Sequence, residues 1–492
     1  MVRPLSRVLL AVSILAAMGC QRGRGGSGGG EEEGDQVSGL GITGVALYQG
    51  VRVDVMEDGD LLLDDAPVDV ISGRDAMVRV FVEPVDPDYD DRTVAAVVRL
   101  DVDGETETFS GEGFMELASS DNDLSSTLNV EIPGEFITPG TELVSVTLEE
   151  ADEDAPQGAT GSPEARWSPS GAVALDAKDT GPDLRIILVP IEYNGDGSGR
   201  LPDLSDSQLE IYRAAMYAQY PTKKVELVVA DPMPINFGIW FNGAGWGETL
   251  EQLYYRREDD GAAFEEYYYG LFNPANSFGE FCQGGCVAGL SSLASSASAE
   301  WARVSIGLGF SGQGSADTMV HEIGHAHGRE HAPCGVNDPG FFPHSGGSIG
   351  VQGYDLVNKA LKNTGNYTDF MGYCDPTWVS DYTYNWLHER IRDVNASAEM
   401  VWTADTPRFT YGAVRVDMDG VASRTFDRTL SFAPVGEETA PVELLDADGD
   451  VLGTVDAVFS RYSHLAGGVL LLPEPADDVA AVRLASGQVV PW

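Results

Sequence analysis

Basic residues are scarce. The 492-residue chain carries 30 Lys and Arg, only five of them Lys, against 78 Asp and Glu, and its formal charge is −48. Nucleic acid and anionic membrane surfaces are bound through basic patches, so both are poor partners for it. A solvated acidic surface that keeps an exported protein soluble is the simplest account of this charge, with calcium sites as a second contribution. Long apolar runs are missing as well. Val8 to Met18 is too short to span a bilayer, which takes about 20 residues, and no other segment is long and apolar enough. There is no Gly-rich phosphate loop and no nucleophile elbow, so phosphoryl transfer and serine-nucleophile chemistry have no support. Cysteine is rare, with five in all. What is abundant is ordinary apolar content, 43%, in a length with room for two to four domains.

The N-terminus has the order of a targeting segment: Arg3 and Arg7, the short apolar run, then Ala17-Met-Gly-Cys20. This resembles a bacterial lipobox, which implies lipidation at Cys20 and an extracytoplasmic, membrane-anchored protein. Alanine stands where that pattern usually has leucine, so an ordinary secretory signal is the alternative. Residues 1–20 are read as the signal peptide and 21–38, rich in Gly and Glu, as a flexible tether. The other cysteines are Cys282, Cys286, Cys334 and Cys374. An even count in an exported chain suggests two disulfides with three possible connectivities. A four-thiolate zinc site is the rival, with poor spacing for it.

Residues 39–180 alternate in the manner of short strands. Val45–Tyr48, Val51–Val55, Met77–Val82, Val94–Val102 and Leu143–Leu148 are separated by turns such as Asp58-Gly59 and Asp103-Gly104. A β-sandwich followed by an acidic linker is expected. Residues 183–400 mix strand and helix. Leu184–Pro190, Val225–Val229, Tyr267–Phe272 and Ala302–Leu308 are strands; Ser205–Gln219, Gly247–Glu258 and Asp381–Asn395 are helices. Ser207 with Glu210 forms a capping box for the first helix. Residues 401–492 are β-rich again, with a second sandwich-like domain expected. There Asp446-Ala-Asp-Gly-Asp450 is similar to a calcium loop. Its glycine comes too early and no glutamate closes it, so a hairpin turn is the preferred reading.

The chemistry concentrates in His321-Glu-Ile-Gly-His-Ala-His-Gly-Arg-Glu-His331. His321 and His325, four apart, share a helix face and can grip one metal ion. Glu322 is placed to take a proton from a metal-bound water. Gly328 can adopt a left-handed conformation that ends the helix, and His331 returns as a third ligand. Three imidazoles with an open fourth position describe catalytic rather than structural zinc. A polar helix whose histidines only hydrogen-bond is the alternative. Ser315 is read as the helix cap, with Asp317 in the first turn. His327 points to another side of the helix, as a residue behind the ligands or an exposed one. His344, His388 and His464 lack ligand spacing and default to surface or satisfied histidines.

This motif resembles the metzincin clan of zinc endopeptidases. The resemblance implies a methionine turn beneath the metal, and Asp369-Phe-Met-Gly-Tyr373 supplies Met371. It implies that Tyr373 reaches the zinc or the oxyanion. It makes Cys286–Leu290 the edge strand that a substrate joins by β-augmentation, and residues 332–368 one wall of the pocket for the substrate side chain. It also brings the segments after His331 and Met371 together, hence Cys334 with Cys374 and Cys282 with Cys286. The expected fold is an α+β metzincin-like domain with a mixed sheet, flanked by two sandwich-like β domains. The layout is similar to bacterial surface and secreted metzincins that include mucin-cleaving enzymes. The implied activity is endopeptidase cleavage of extracellular proteins or glycoproteins. The rival is an inactive surface binding or adhesion protein on the same scaffold, against which the intact Glu322 and full ligand set count.

Overall fold

Leu184–Tyr193 carries an unbroken apolar run with β-branched residues, Ile186 to Ile191, and such runs are buried on both faces of a sheet. In the computed structural model it lies inside a mixed sheet. The structure describes residues 34–63, 66–151, 161–336, 340–401, 407–434 and 438–492. The signal peptide, Cys20 and the tether up to residue 33 lie outside the described residues. Val225–Val229, Leu184–Tyr193, Tyr267–Phe272 and Val304–Leu308 run parallel in that order, and Gly289–Ser291 is added antiparallel at the edge. The edge strand thus begins three residues later than Cys286, because the Cys282–Cys286 disulfide holds that stretch in a turn.

Period-2 alternation divides this sheet between two cores. Ile186 and Leu188 face one side, where helices Asp206–Gln219, Gln313–Ala326 and Asp381–Val401 pack; Ile187, Val189 and Ile191 face the other, against helix Trp246–Asp259. The first helix starts one residue past Ser205, so the Ser207–Glu210 capping box does not form; the two serine hydroxyls meet each other instead. The last helix runs six residues past Asn395, and Tyr384, Leu387, Ile391 and Val394 are buried as their spacing requires.

From Asp35 to Trp492 the chain forms one unit. The N-terminal region has two five-stranded sheets whose inner residues, among them Val45, Val55, Val78, Leu100 and Leu143, enclose one core. Asp58-Gly59 and Asp103-Gly104 make their turns with positive φ at both residues, which matches the twist of the flanking strands. Two readings change here. The tether ends earlier, since Val37 is buried and its N–H donates to Leu148. The acidic linker also holds short strands, Arg166–Trp167 and Val173–Ala174, paired to Glu142–Glu150. Arg74 ties this region to the sheet domain. It is fully buried and donates to the carbonyls of Gln49, Thr222 and Tyr217.

The C-terminal region is a single eight-stranded antiparallel sheet rather than a sandwich. Its ends approach each other, with Gln488 bridging to Ala422 and Gly420, so the sheet nearly closes. Its inner residues, among them Val414, Val442, Leu470 and Leu472, enclose a core of their own, while the opposite face joins the core around helix Trp246–Asp259 through Ala413, Leu430, Tyr462 and Leu471. The Asp446–Asp450 stretch is a hairpin turn whose Asp446 carboxylate accepts from Asp448 and Asp450.

Candidate metal centre

Helix Gln313–Ala326 begins after Gly312, not at Ser315, whose hydroxyl is buried in the first turn and donates to the Gly312 carbonyl. The reason is that Gln208 reaches across to accept from the Gly312 N–H. The helix presents His321 and His325 from one face. Gly328 follows at φ +99°, and an added Cβ would stand 2.2 Å from the Ala294 carbonyl, so only glycine makes this turn. The chain then returns His331 to the same point.

The three Nε2 atoms converge. His325 Nε2 lies 3.1 Å from His321 Nε2 and 3.2 Å from His331 Nε2. Nitrogens bound tetrahedrally to one zinc at about 2.0–2.1 Å stand roughly 3.4 Å apart. The far side of each helix imidazole is fixed: His321 Nδ1 donates to Phe370 O at 2.7 Å and His325 Nδ1 to Arg329 O at 2.6 Å. With the proton held at Nδ1, the Nε2 lone pair points at the shared position. Burial depresses these histidines, His321 to about 4 and His331 to about 3, with His464 and the neighbouring imidazoles adding to the shift. They are therefore neutral near pH 7, as ligation needs. The donor set and its spacing fit a single zinc ion.

Met371 lies under the helix, fully buried, and its Sδ would meet a Cβ on Gly324 at 2.5 Å. Its turn is built on the buried Asp369, whose carboxylate accepts from Met371 N and Ser380 N. Met371 O accepts from Ala332, and Tyr373 N donates to Cys334 O. The Cys334–Cys374 disulfide clamps the same two segments, and both disulfides have the anticipated partners. Tyr373 is half exposed, with its hydroxyl 3.1 Å from His331 Nε2. Loss of water around the hydroxyl, with Glu322 nearby, pushes the phenol above its ordinary value.

Glu322 is almost fully buried. Ser291 Oγ of the edge strand lies 2.8 Å from its Oε2, and Ser305 Oγ donates to its carbonyl at 3.1 Å. These serines stand where the sheet faces the helix. The carboxylate is thus directed from below by the strand that borders the cleft.

Of the two places expected for His327, behind the ligands or exposed, it is not exposed: it is fully buried, stacks on Tyr267 at 4.2 Å and donates to Ile323 O. Burial lowers its pKa to about 3. His464, expected as a surface or satisfied histidine, enters the site from the C-terminal sheet. Its Nδ1 is 2.6 Å from the Tyr373 hydroxyl and its Nε2 is 2.7 Å from Glu322 Oε1. Its ligand nitrogen and those of His321, His325 and His331 all lie within 4.8 Å of one another. Sequence spacing gave no signal for it, since it is contributed by a separate region of the fold. His344 pairs with Asp381, and His388 pairs through Nδ1 with Asp69 while its Nε2 is buried without a hydrogen-bond partner. Part of the 332–368 loop docks on the N-terminal region instead of walling the cleft: Tyr354 N donates to Gly50 O and Gly353 pairs with Val51.

No helix among the described residues is long and apolar enough to cross a membrane. No protein-family model and no curated protein matches the chain. Among solved structures, a beta-glycosidase from Bacteroides vulgatus aligns with 92% of this chain and 64% of its own length, at 10% identity and a TM-score of 0.15. The chain therefore spans less than two thirds of that structure, and a likeness this slight carries no argument about fold or activity.

Proposed function

We propose that this chain is a zinc endopeptidase of the metzincin type that acts outside the cytoplasm on proteins or glycoproteins. One observation carries the reading: three imidazole Nε2 atoms meet at one point, the Nδ1 sides of His321 and His325 are tied down, and the Glu322 carboxylate borders that point. His321, His325 and His331 would hold the zinc, which when bound would supply a water of lowered pKa and a Lewis acid for the scissile carbonyl. Glu322 takes the proton of the attacking water and passes it to the leaving amine. Tyr373 donates a hydrogen bond to the developing oxyanion. The outer edge of Gly289–Ser291 receives the substrate as an added strand. Attachment to a membrane through lipidated Cys20 belongs to the same proposal.

The rival is an inactive surface binding or adhesion protein, and the contact between Glu322 and His464 is the observation in its favour. Metal analysis and a cleavage-site profile against mixed proteins and glycoproteins separate the two. The proposal expects one zinc per chain, lost in His325→Ala, and a defined set of cleaved peptide bonds. Zinc retained in full by His325→Ala would overturn the ligand assignment.

A further inference from the structure

The Val451–Arg461 and Gly468–Pro473 strands of the C-terminal sheet are joined by a loop that leaves the sheet and enters the cleft. Its first residues pair with the outer edge of the sheet domain. Ser463 N donates to Ser291 O at 3.0 Å, Leu293 N donates to Arg461 O at 3.1 Å, and Ser292 and Tyr462 form an antiparallel bridge. Ser291 N donates to Ser463 Oγ at 3.0 Å. The next residue is His464.

We propose that His464 is a fourth ligand of the metal centre, and that residues 461–464 hold the site closed by occupying the strand position that an extended peptide must take. The proposal rests on the zinc endopeptidase reading. The backbone groups of Ser291–Leu293 are the ones a substrate added at this edge would need. They are satisfied by the chain's own loop, so loop and substrate exclude each other there. Neighbouring contacts seat the loop: Leu465 lies against Gly243, Tyr462 against Gly247, and Arg461 pairs with Glu330 at 2.8 Å.

His464 itself has the chemistry of a ligand. Its side chain is 12% exposed, and its Nε2 is buried without a hydrogen-bond partner. That nitrogen is 2.7 Å from Glu322 Oε1, but not at a hydrogen-bonding angle. A cation bound at this nitrogen would give it and the facing carboxylate oxygen, neither hydrogen-bonded to the other, a common partner. Three imidazoles with an open position make a catalytic site, whereas four protein ligands make a closed one.

The test compares the full-length parent, His464→Ala and Ser463→Pro, each loaded with cobalt(II) in place of zinc. Cobalt absorption reports the ligand set, chelator competition reports affinity, and a quenched peptide reports cleavage. His464→Ala should change the visible cobalt spectrum, weaken metal binding about tenfold or more, and raise the initial cleavage rate severalfold. Ser463→Pro removes the N–H donated to Ser291 and keeps the imidazole, and it should raise the rate in the same direction. A cobalt spectrum and affinity unchanged in His464→Ala overturn the proposal. So does a rate that falls in His464→Ala, which would make His464 a helper of Glu322. Failure of the underlying reading shows elsewhere, as metal binding that survives His325→Ala.

Discussion

The phenol oxygen of Tyr373 stands 3.1 Å from His331 Nε2, so the residue two places after the methionine turn touches the third ligand. Tyr373→Phe deletes only this hydroxyl. If the hydroxyl donates to the oxyanion, turnover should fall by roughly a hundred- to a thousandfold, about 3–4 kcal/mol, with zinc content and melting temperature unchanged. Turnover within a few fold of the parent would reduce Tyr373 to a packing role.

Cys334 and Cys374 close a loop of 40 residues, whereas Cys282 and Cys286 are four apart. In the chain-entropy view the longer loop contributes about 4 kcal/mol and the shorter about 2 kcal/mol. Replacing Cys334 and Cys374 together by Ser should therefore lower stability more than replacing the other pair. It should also weaken zinc binding, because the bridge joins the segments that follow His331 and Met371. Denaturant unfolding and metal titration check both. Equal losses from the two double variants would contradict this account.

Arg428 of the C-terminal sheet is buried against Glu251 of helix Trp246–Asp259, and its guanidinium lies 3.7 Å over the Tyr254 ring. Removing one partner of such a pair strands the other, at a cost of about 3–5 kcal/mol. Arg428→Ala should shift a single cooperative unfolding transition. Two transitions, with only one displaced, would mean that the C-terminal sheet folds apart from the rest.

Folded-state pKa values of about 4 for His321 and about 3 for His331 lie below the ordinary 6.5. As pH falls, the unfolded chain binds these protons first, so the metal-free protein loses stability from about pH 6.5 downward until the folded histidines titrate. Metal-free His331→Gln lacks one of these sites. The parent should lose melting temperature relative to this variant as pH drops from 6.5 towards 4. A constant difference across that range would contradict the sign.

The centre was readable in sequence where its geometry is local. His321 and His325 are fixed by one helical turn, and Gly328 announces the bend that returns His331. The parallel strands were readable because their apolar runs are unbroken. What escaped depends on distant partners. Helix capping moved from Ser315 to Gly312 because Gln208 crosses from another helix. The strand Glu105–Met115, polar and largely exposed, is held by pairing to Arg92–Val102 and not by an apolar pattern. The C-terminal strands alternate as a sandwich strand would, and only their pairing reveals a single curled sheet. His464 is the extreme case, since nothing near it in sequence speaks of a metal.

Glu322→Ala tests the central claim most directly, with zinc content and peptide cleavage measured on the same sample. The ligands are untouched, so the variant should hold one zinc per chain and unfold like the parent. Cleavage should fall to background, because no other carboxylate among the described residues touches the ligand cluster. Peptide cleavage retained by the zinc-loaded variant would contradict the assignment of Glu322 as the base.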